Sequence, residues 1–265
     1  MITWLRIGVI VVALAVVTLV LLPLQFVGLA LDLKMRRYIP RYWHRAACRL
    51  LGIRIHLHGR IDRRRPLMLA SNHTSWKDIL VLGAVADVAF IAKSEVAGWP
   101  VFGLLARLQK TIFVAREQKR QTGKQVSEIA ERMKAGEIVV LFPEGTTSDG
   151  NRLLDIKSSL FGAAAAAVPS VPGNVVHVQP VAIAYTRVYG MAMGRYHRPI
   201  AAWPGDIELV PHLIGILKAE AIDVDISFGE AIAFRAGDNR KVLSAEVAAK
   251  IRRMLLMRLR GRDYG

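Results

Sequence analysis

A histidine and an aspartate five positions apart, His73 and Asp78, lie within Asn72-His73-Thr74-Ser75-Trp76-Lys77-Asp78. An apolar run, Leu67 to Ala70, enters this stretch, and Ile79, Leu80, Leu82 and Val85 leave it at helical spacing. The pattern predicts a strand, then a helix, with a polar turn between them able to cap the helix. His73 falls on the turn, with Asp78 about one helical turn further on, so both can point into one opening above a sheet. That spacing suits general base catalysis. An imidazole takes a proton from an alcohol when a carboxylate holds its other nitrogen and stabilises the imidazolium. The substrate's own hydroxyl is then the nucleophile, and no serine or cysteine is required. The plainer alternative is a capped helix with a structural His–Asp hydrogen bond.

Two other strand ends deliver charge. Ile138 to Phe142 runs into Pro143-Glu144-Gly145-Thr146-Thr147-Ser148-Asp149-Gly150. Pro143 stiffens the entry, Gly145 permits close approach by a ligand or backbone, and Glu144 can accept hydrogen bonds from headgroup hydroxyls. A strand-closing turn accounts for the same residues without chemistry. Thr111 to Ala115 likewise ends on Arg116, which suits a bidentate hold on a phosphate or carboxylate, or an ordinary surface ion pair.

These residues need a scaffold, and the chain supplies one from residue 51 to 265. Val88–Ile91, Thr111–Ala115 and Ile138–Phe142 read as strands buried on both faces. Between them, Val101–Leu108 and Thr122–Ala135 read as helices, the second with Val126, Ile129, Ala130 and Met133 on one stripe and Gly136 as its C-terminal cap. Ile53–His58 alternates as an edge strand with Arg54, His56 and His58 on a solvated face. Further on, Ala163–Ala167 reads as a small-residue helix, Val175–Tyr185 and Asp223–Phe228 as strands. Ser244–Arg260 reads as a basic amphipathic helix capped by Ser244 and stopped by Gly261. The loops at Arg195–Arg198 and Trp203–Asp206 carry no assignable chemistry. Alternation of this kind predicts an α/β fold with a mainly parallel central sheet flanked by helices, and ligands gathered at the strands' carboxyl ends.

Residues 1–50 are of another character. Ile7 to Leu31 is a run of 25 residues without a charge. It is long enough to cross a hydrocarbon core, though Pro23 can break it so that it lies in one leaflet. Its apolar core is too long for a signal peptide. Lys34, Arg36, Arg37, Arg41, Arg45 and Arg49 come next, set among Tyr38, Tyr42 and Trp43, as at a headgroup interface on the cytoplasmic side. A net charge of +16 with 53% hydrophobic residues points to an anionic membrane surface, and 7% aromatics argues against nucleic acid. The expectation is an N-terminal membrane-associated helix or helical pair, on the inner (cytoplasmic) membrane, with the catalytic domain facing the cytoplasm. Cys48 is the only cysteine, which excludes an intrachain disulfide. No His, Cys, Asp or Glu grouping has metal-ligand spacing.

Taken together, the blocks resemble those of the 1-acyl-glycerol-3-phosphate acyltransferase (PlsC-like) family. Asn72 to Asp78 is similar to its Asn-His-x-Ser-x-x-Asp block, and Phe142 to Thr146 to its Phe-Pro-Glu-Gly-Thr block. Thr111–Arg116 is similar to its arginine motif, Lys93-Ser94-Glu95 with Pro100 and Gly103 to its Lys-x-Glu segment, and Val178–Val181 to a later strand. The match runs in order from about residue 65 to 185 and implies an α/β domain on an N-terminal helical pair. It implies His73 as general base and Asp78 as its orienting partner. It further implies Glu144, Gly145 and Thr146 at the acceptor, Arg116 on its phosphate, and Lys157 as a further headgroup cation. The reaction implied moves an acyl chain from acyl-CoA or acyl-acyl-carrier protein to a lysolipid hydroxyl, with no covalent acyl-enzyme and no bound cofactor or metal. One departure stands out: Thr147 occupies a position where the family commonly has arginine. Lysophosphatidate is the first expected acceptor, converted to phosphatidic acid. The longer string Pro143–Gly150 is similar to acyltransferases that finish ornithine lipids, whose lyso-aminolipid acceptor bears a carboxylate, and this is the alternative. A lipid-binding protein with the fold but no turnover is a third possibility, opposed by the intact His73 and Asp78.

Overall fold

The computed structural model describes residues 2–114, 119–205, 207–219 and 221–261. It opens with two helices, α1 (Ile2–Ala30) and α2 (Met35–Leu50). α1 runs through Pro23 without a break. One flank of α1 packs inward through Ile10, Gln25 and Gly28. On the other flank Ile2, Leu5, Val9, Val12, Val16 and Leu19 are exposed. Gly28 lets the two helices meet, because a Cβ there would stand 3.2 Å from the Arg36 nitrogen. α2 is no mere extension of this segment: Ala47, Cys48 and the following Leu51 are buried in the main core.

The rest alternates as β1 (Ile53–His58), β2 (Leu67–Ser71), α3 (Lys77–Val85), β3 (Val88–Lys93), α4 (Phe102–Leu108), β4 (Ile112–Val114), α5 (Lys119–Lys134) and β5 (Ile138–Leu141). After these come α6 (Gly162–Ala167), β6 (Val175–Val188), β7 (Met191–Ala192), α7 (Leu209–Lys218), β8 (Ile222–Phe228), β9 (Ile232–Arg235) and α8 (Arg240–Leu259). The sheet runs β1-β8-β6-β2-β5-β3-β4, with β7 and β9 also on β6. β6, β2, β5, β3 and β4 lie parallel, as does β1 to β8, while β8, β7 and β9 run antiparallel to β6. The mainly parallel α/β reading therefore holds. Alternation sorts the core by strand face. Leu67, Leu69, Val140 and Ile183 pack with α2 and α3, whereas Met68, Ala70, Val139 and Ala182 pack with α5, α6 and α8.

Two local expectations are corrected. α8 starts at Arg240, capped by Asn239, whose Oδ1 accepts from the Lys241 N–H at 2.8 Å, and Ser244 lies inside it. Asn239 wins because it stands outside the helix, where a side-chain oxygen can reach back to a free amide. His56 and His58 are not simply solvated: their Nε2 atoms meet Asp223 Oδ1 at 2.8 Å and Asp225 Oδ1 at 2.5 Å on the neighbouring parallel strand.

Candidate active site

β2 carries the chain into the site with all five of its residues buried. Asn72 then extends the sheet with its side chain: Oδ1 accepts from the Ile183 N–H at 2.7 Å and Nδ2 donates to the Ile183 carbonyl at 2.9 Å. This clamp fixes where the strand stops and the turn begins. The capping runs opposite to the expected direction. Asp78, in the first turn of α3, reaches back so that its Oδ2 accepts from the Thr74 N–H at 2.6 Å and the Ser75 N–H at 2.9 Å. The same Oδ2 takes His73 Nδ1 at 2.8 Å, and Oδ1 accepts from the Tyr185 hydroxyl at 2.9 Å.

Three unambiguous donors, the Thr74 and Ser75 amides and the Tyr185 hydroxyl, meet on one fully buried carboxyl group, an arrangement that suits a carboxylate, which only accepts. Nδ1 of His73 then carries a proton and Nε2 keeps its lone pair. The ring stacks on Phe142, with centroids 4.0 Å apart and planes 16° from parallel. Its backbone is held on both sides: the N–H donates to Glu144 Oε1 at 2.6 Å, and the carbonyl accepts from the Ser148 N–H at 2.9 Å. About 20% of the side chain stays exposed, on the wall of a cavity. The imidazole thus has a fixed orientation on the wall of an open space.

The cavity, about 1030 Å³, lies between the helical pair and the sheet. Leu14, Leu22, Phe90, Leu105, Leu213 and other apolar side chains line it, a surface suited to hydrocarbon. Gly145, Thr146 and Thr147 stand on the same wall as His73. Gly145 has φ +73°, a left-handed conformation that favours glycine, and it turns the chain sharply after β5.

Glu144 does something other than expected. It is 2% exposed, and its second oxygen accepts from the Leu154 N–H at 2.7 Å. Both oxygens are therefore engaged by backbone amides, and the residue ties the His73 turn to the loop after Gly150. Burial, partly offset by those two bonds, pushes its carboxyl up to about 7. Lys157 is exposed and off the cavity wall, with its N–H donating to the Pro143 carbonyl at 2.9 Å. Arg116 lies outside the described residues.

Sequence reasoning missed three supports. Tyr185 is 107 positions from Asp78, so no local pattern joins them. Arg198, in a loop given no chemistry, is buried and donates to Asn151 Oδ1 at 2.6 Å and the Met193 carbonyl at 2.8 Å, bracing the segment after Gly150. Gln25, within the apolar run, donates to the Leu108 carbonyl at 2.6 Å and fastens α1 to the end of α4. A lone amide in such a run was the available signal.

An oriented imidazole on the wall of a large apolar cavity fits the chemistry of acyl transfer to a lipid hydroxyl. The chain belongs to the acyltransferase family, which matches residues 52–184. It is 64% identical to a lyso-ornithine lipid O-acyltransferase of Rhizobium meliloti (strain 1021), over 99% of this chain and 90% of that one. A lyso-ornithine lipid O-acyltransferase of Brucella abortus (strain 2308) is 52% identical over 99% and 98%. A 1-acyl-sn-glycerol-3-phosphate acyltransferase of Neisseria gonorrhoeae is 30% identical over 70% and 68%. The crystal structure of the 1-acyl-sn-glycerophosphate (LPA) acyltransferase, PlsC, from Thermotoga maritima shares the fold, with TM-score 0.68 over 99% of this chain and all of that one, at 20% identity.

Proposed function

We propose that this enzyme is a lyso-ornithine lipid O-acyltransferase, esterifying the free hydroxyl of a lyso-aminolipid. The observation that carries this is the 64% identity, over 99% of the chain, to a protein of that name. Thr147 on the cavity wall agrees with it, since the cation common at that position in the family is missing. This puts the aminolipid ahead of lysophosphatidate, the acceptor that the motif blocks favoured first.

In the proposed reaction the acyl chain of a thioester, acyl-CoA or acyl-acyl-carrier protein, lies in the apolar cavity. His73 Nε2 takes the acceptor's hydroxyl proton as the oxygen attacks the thioester carbonyl. Asp78 stabilises the imidazolium through Nδ1. Collapse of the tetrahedral intermediate releases the thiolate, which receives the proton back from Nε2. Arg116 is the cation proposed for the acceptor's carboxylate, on the resemblance alone.

We also infer membrane association on the cytoplasmic side of the inner membrane, with α1 resting in one leaflet. α1 is fastened along its length: Arg6 donates to the Leu217 carbonyl at 3.3 Å, Thr18 accepts from Trp43 Nε1 at 2.9 Å, and Gln25 holds Leu108. A helix bound to its own domain at both ends, with a bare apolar outer flank, suits burial along the interface better than a crossing.

The test presents the purified full chain in mixed micelles with each thioester and with lyso-ornithine lipid or lysophosphatidate, alongside His73→Ala. The expected result is at least about tenfold higher kcat/KM for lyso-ornithine lipid, a difference of about 1.4 kcal/mol, and no transfer above background by the variant. A preference for lysophosphatidate overturns the assignment.

A further inference from the structure

Lys77 has no part in the mechanism above, yet it is fully buried, at 0% exposure, between the catalytic turn and Asp78. Its Nζ donates to the Ala201 carbonyl at 2.6 Å and stands 5.0 Å from the Tyr185 ring centre and 5.8 Å from that of Trp76. Leucine or methionine would fill this volume without stripping water from a charge, which costs several kcal/mol unless compensated. Two aromatic faces and one carbonyl are the compensation here. Burial pushes the ammonium down to about 7 against the opposing pull of Asp78.

What Lys77 touches gives it meaning. Tyr185 holds Asp78 Oδ1 at 2.9 Å. Ala201 lies two residues before Trp203, whose N–H donates to the Thr74 carbonyl at 2.8 Å and whose ring lines the cavity. One ammonium therefore contacts both the tyrosine that orients the carboxylate and the loop that forms part of the cavity wall.

We infer that Lys77 is a positioning residue: held between the Ala201 carbonyl and the Tyr185 ring, its ammonium fixes Tyr185 and the 201–205 loop against the His73–Asp78 pair and biases that pair electrostatically. This rests on the reading of His73 as the base. The titratable groups around it are Asp78 and His73 on its own turn, Tyr185 on β6 and His212 on α7. His212 receives the Trp76 Nε1–H at 3.0 Å, and burial, with Lys77 itself, lowers it to about 4, so it is neutral at working pH. Burial raises Tyr185 and keeps it neutral too. Among the described groups, Lys77 and Asp78 carry charges that bear on the imidazole, and so does Glu144, which accepts from the His73 N–H at 2.6 Å and whose carboxyl burial pushes up to about 7. Glu144 is unchanged in every Lys77 variant, so its effect is common to all of them. A nearby cation opposes a second positive charge, so its removal makes the imidazolium easier to form. The acid limb of the rate profile must then move to higher pH.

Three variants of the full chain separate tether from charge. Lys77→Arg keeps both, Lys77→Gln keeps a donor for Ala201 without charge, and Lys77→Met keeps neither. Profiles of kcat/KM from about pH 5 to 9, in micelles with the preferred lysolipid, are read beside thermal melts. The expected result is an unmoved acid limb in Lys77→Arg and an upward shift of at least about 0.5 pH unit in the other two, or ~0.7 kcal/mol. Lys77→Met also loses about tenfold in kcat, or ~1.4 kcal/mol, where Lys77→Gln does not. An acid limb common to all the folded variants overturns the role, and so does failure of all three to fold, which would make Lys77 a strut only. Absence of transfer by the wild type sinks the reading of the site itself, and this role with it.

Discussion

Replacing Glu144 by glutamine distinguishes a loop tie from a headgroup contact. At pH above about 7 the native carboxylate accepts from the His73 and Leu154 amides at 2.6 and 2.7 Å. Bonds to a charged acceptor contribute roughly 1.5–3 kcal/mol each. Glutamine keeps one acceptor and turns its NH₂ toward the other amide, which leaves a buried N–H facing a donor. The expected loss is about 2–4 kcal/mol, a fall in Tm of roughly 5–10 °C for a chain of this size. The freed turn carries the proposed base, His73, and a misplacement of ~1 Å costs about 100-fold in rate. Thiol release in micelles should therefore show kcat down about 100-fold with the acceptor's KM changed by less than about twofold, a difference under ~0.4 kcal/mol. The opposite pattern, a raised KM with kcat intact, would refute the tie and restore the headgroup contact. Stability carries a second signature. The folded carboxyl, near 7, binds its proton more tightly than the ordinary 4.5. Its contribution to stability is thus complete below 4.5 and lost as pH rises through about 7. Glu144→Gln should abolish that slope in melts taken across the window.

Other outcomes rest on the same geometry. Asp78→Asn removes the acceptor that fixes the imidazole tautomer, and kcat should fall about 10³–10⁴-fold; a loss under about tenfold would mean that Asp78 is only structural. Thr147→Arg adds a cation on the wall beside His73, and should move the kcat/KM ratio toward lysophosphatidate by about tenfold, or ~1.4 kcal/mol. An unchanged ratio in the acceptor panel would take position 147 away from the headgroup. Val12→Lys combined with Leu19→Lys puts charge on the exposed flank of α1. At about 1–3 kcal/mol per residue this should cut vesicle binding roughly 100-fold in sedimentation while micellar turnover holds, and unaltered sedimentation would contradict the interfacial placement.

What the sequence disclosed was local. His73 and Asp78 are joined across one short turn between β2 and α3, and the strands around them are short apolar runs whose burial on both faces shows in composition. Glu144 illustrates the limit. Its place after a strand marked it as unusual, but only the fold brings Leu154 and His73 to its two oxygens. Tyr185, Asn72 with Ile183, and Lys77 with Ala201 are joined across 107, 111 and 124 positions. Sheet order decides such partners, and periodicity is silent on it. Pro23 signalled a break that the structure lacks, since α1 continues through it.

The first helix is also a wall. Leu14, Thr18, Leu22 and Gln25 line the cavity proposed for the acyl chain. Cutting this helix away to obtain an easily handled catalytic fragment would unroof the pocket and leave an open trench of bare hydrocarbon. On the proposed placement of α1 and of the fatty tail, attachment and selectivity cannot be engineered apart: whatever re-aims the first thirty residues also reshapes the cavity they line.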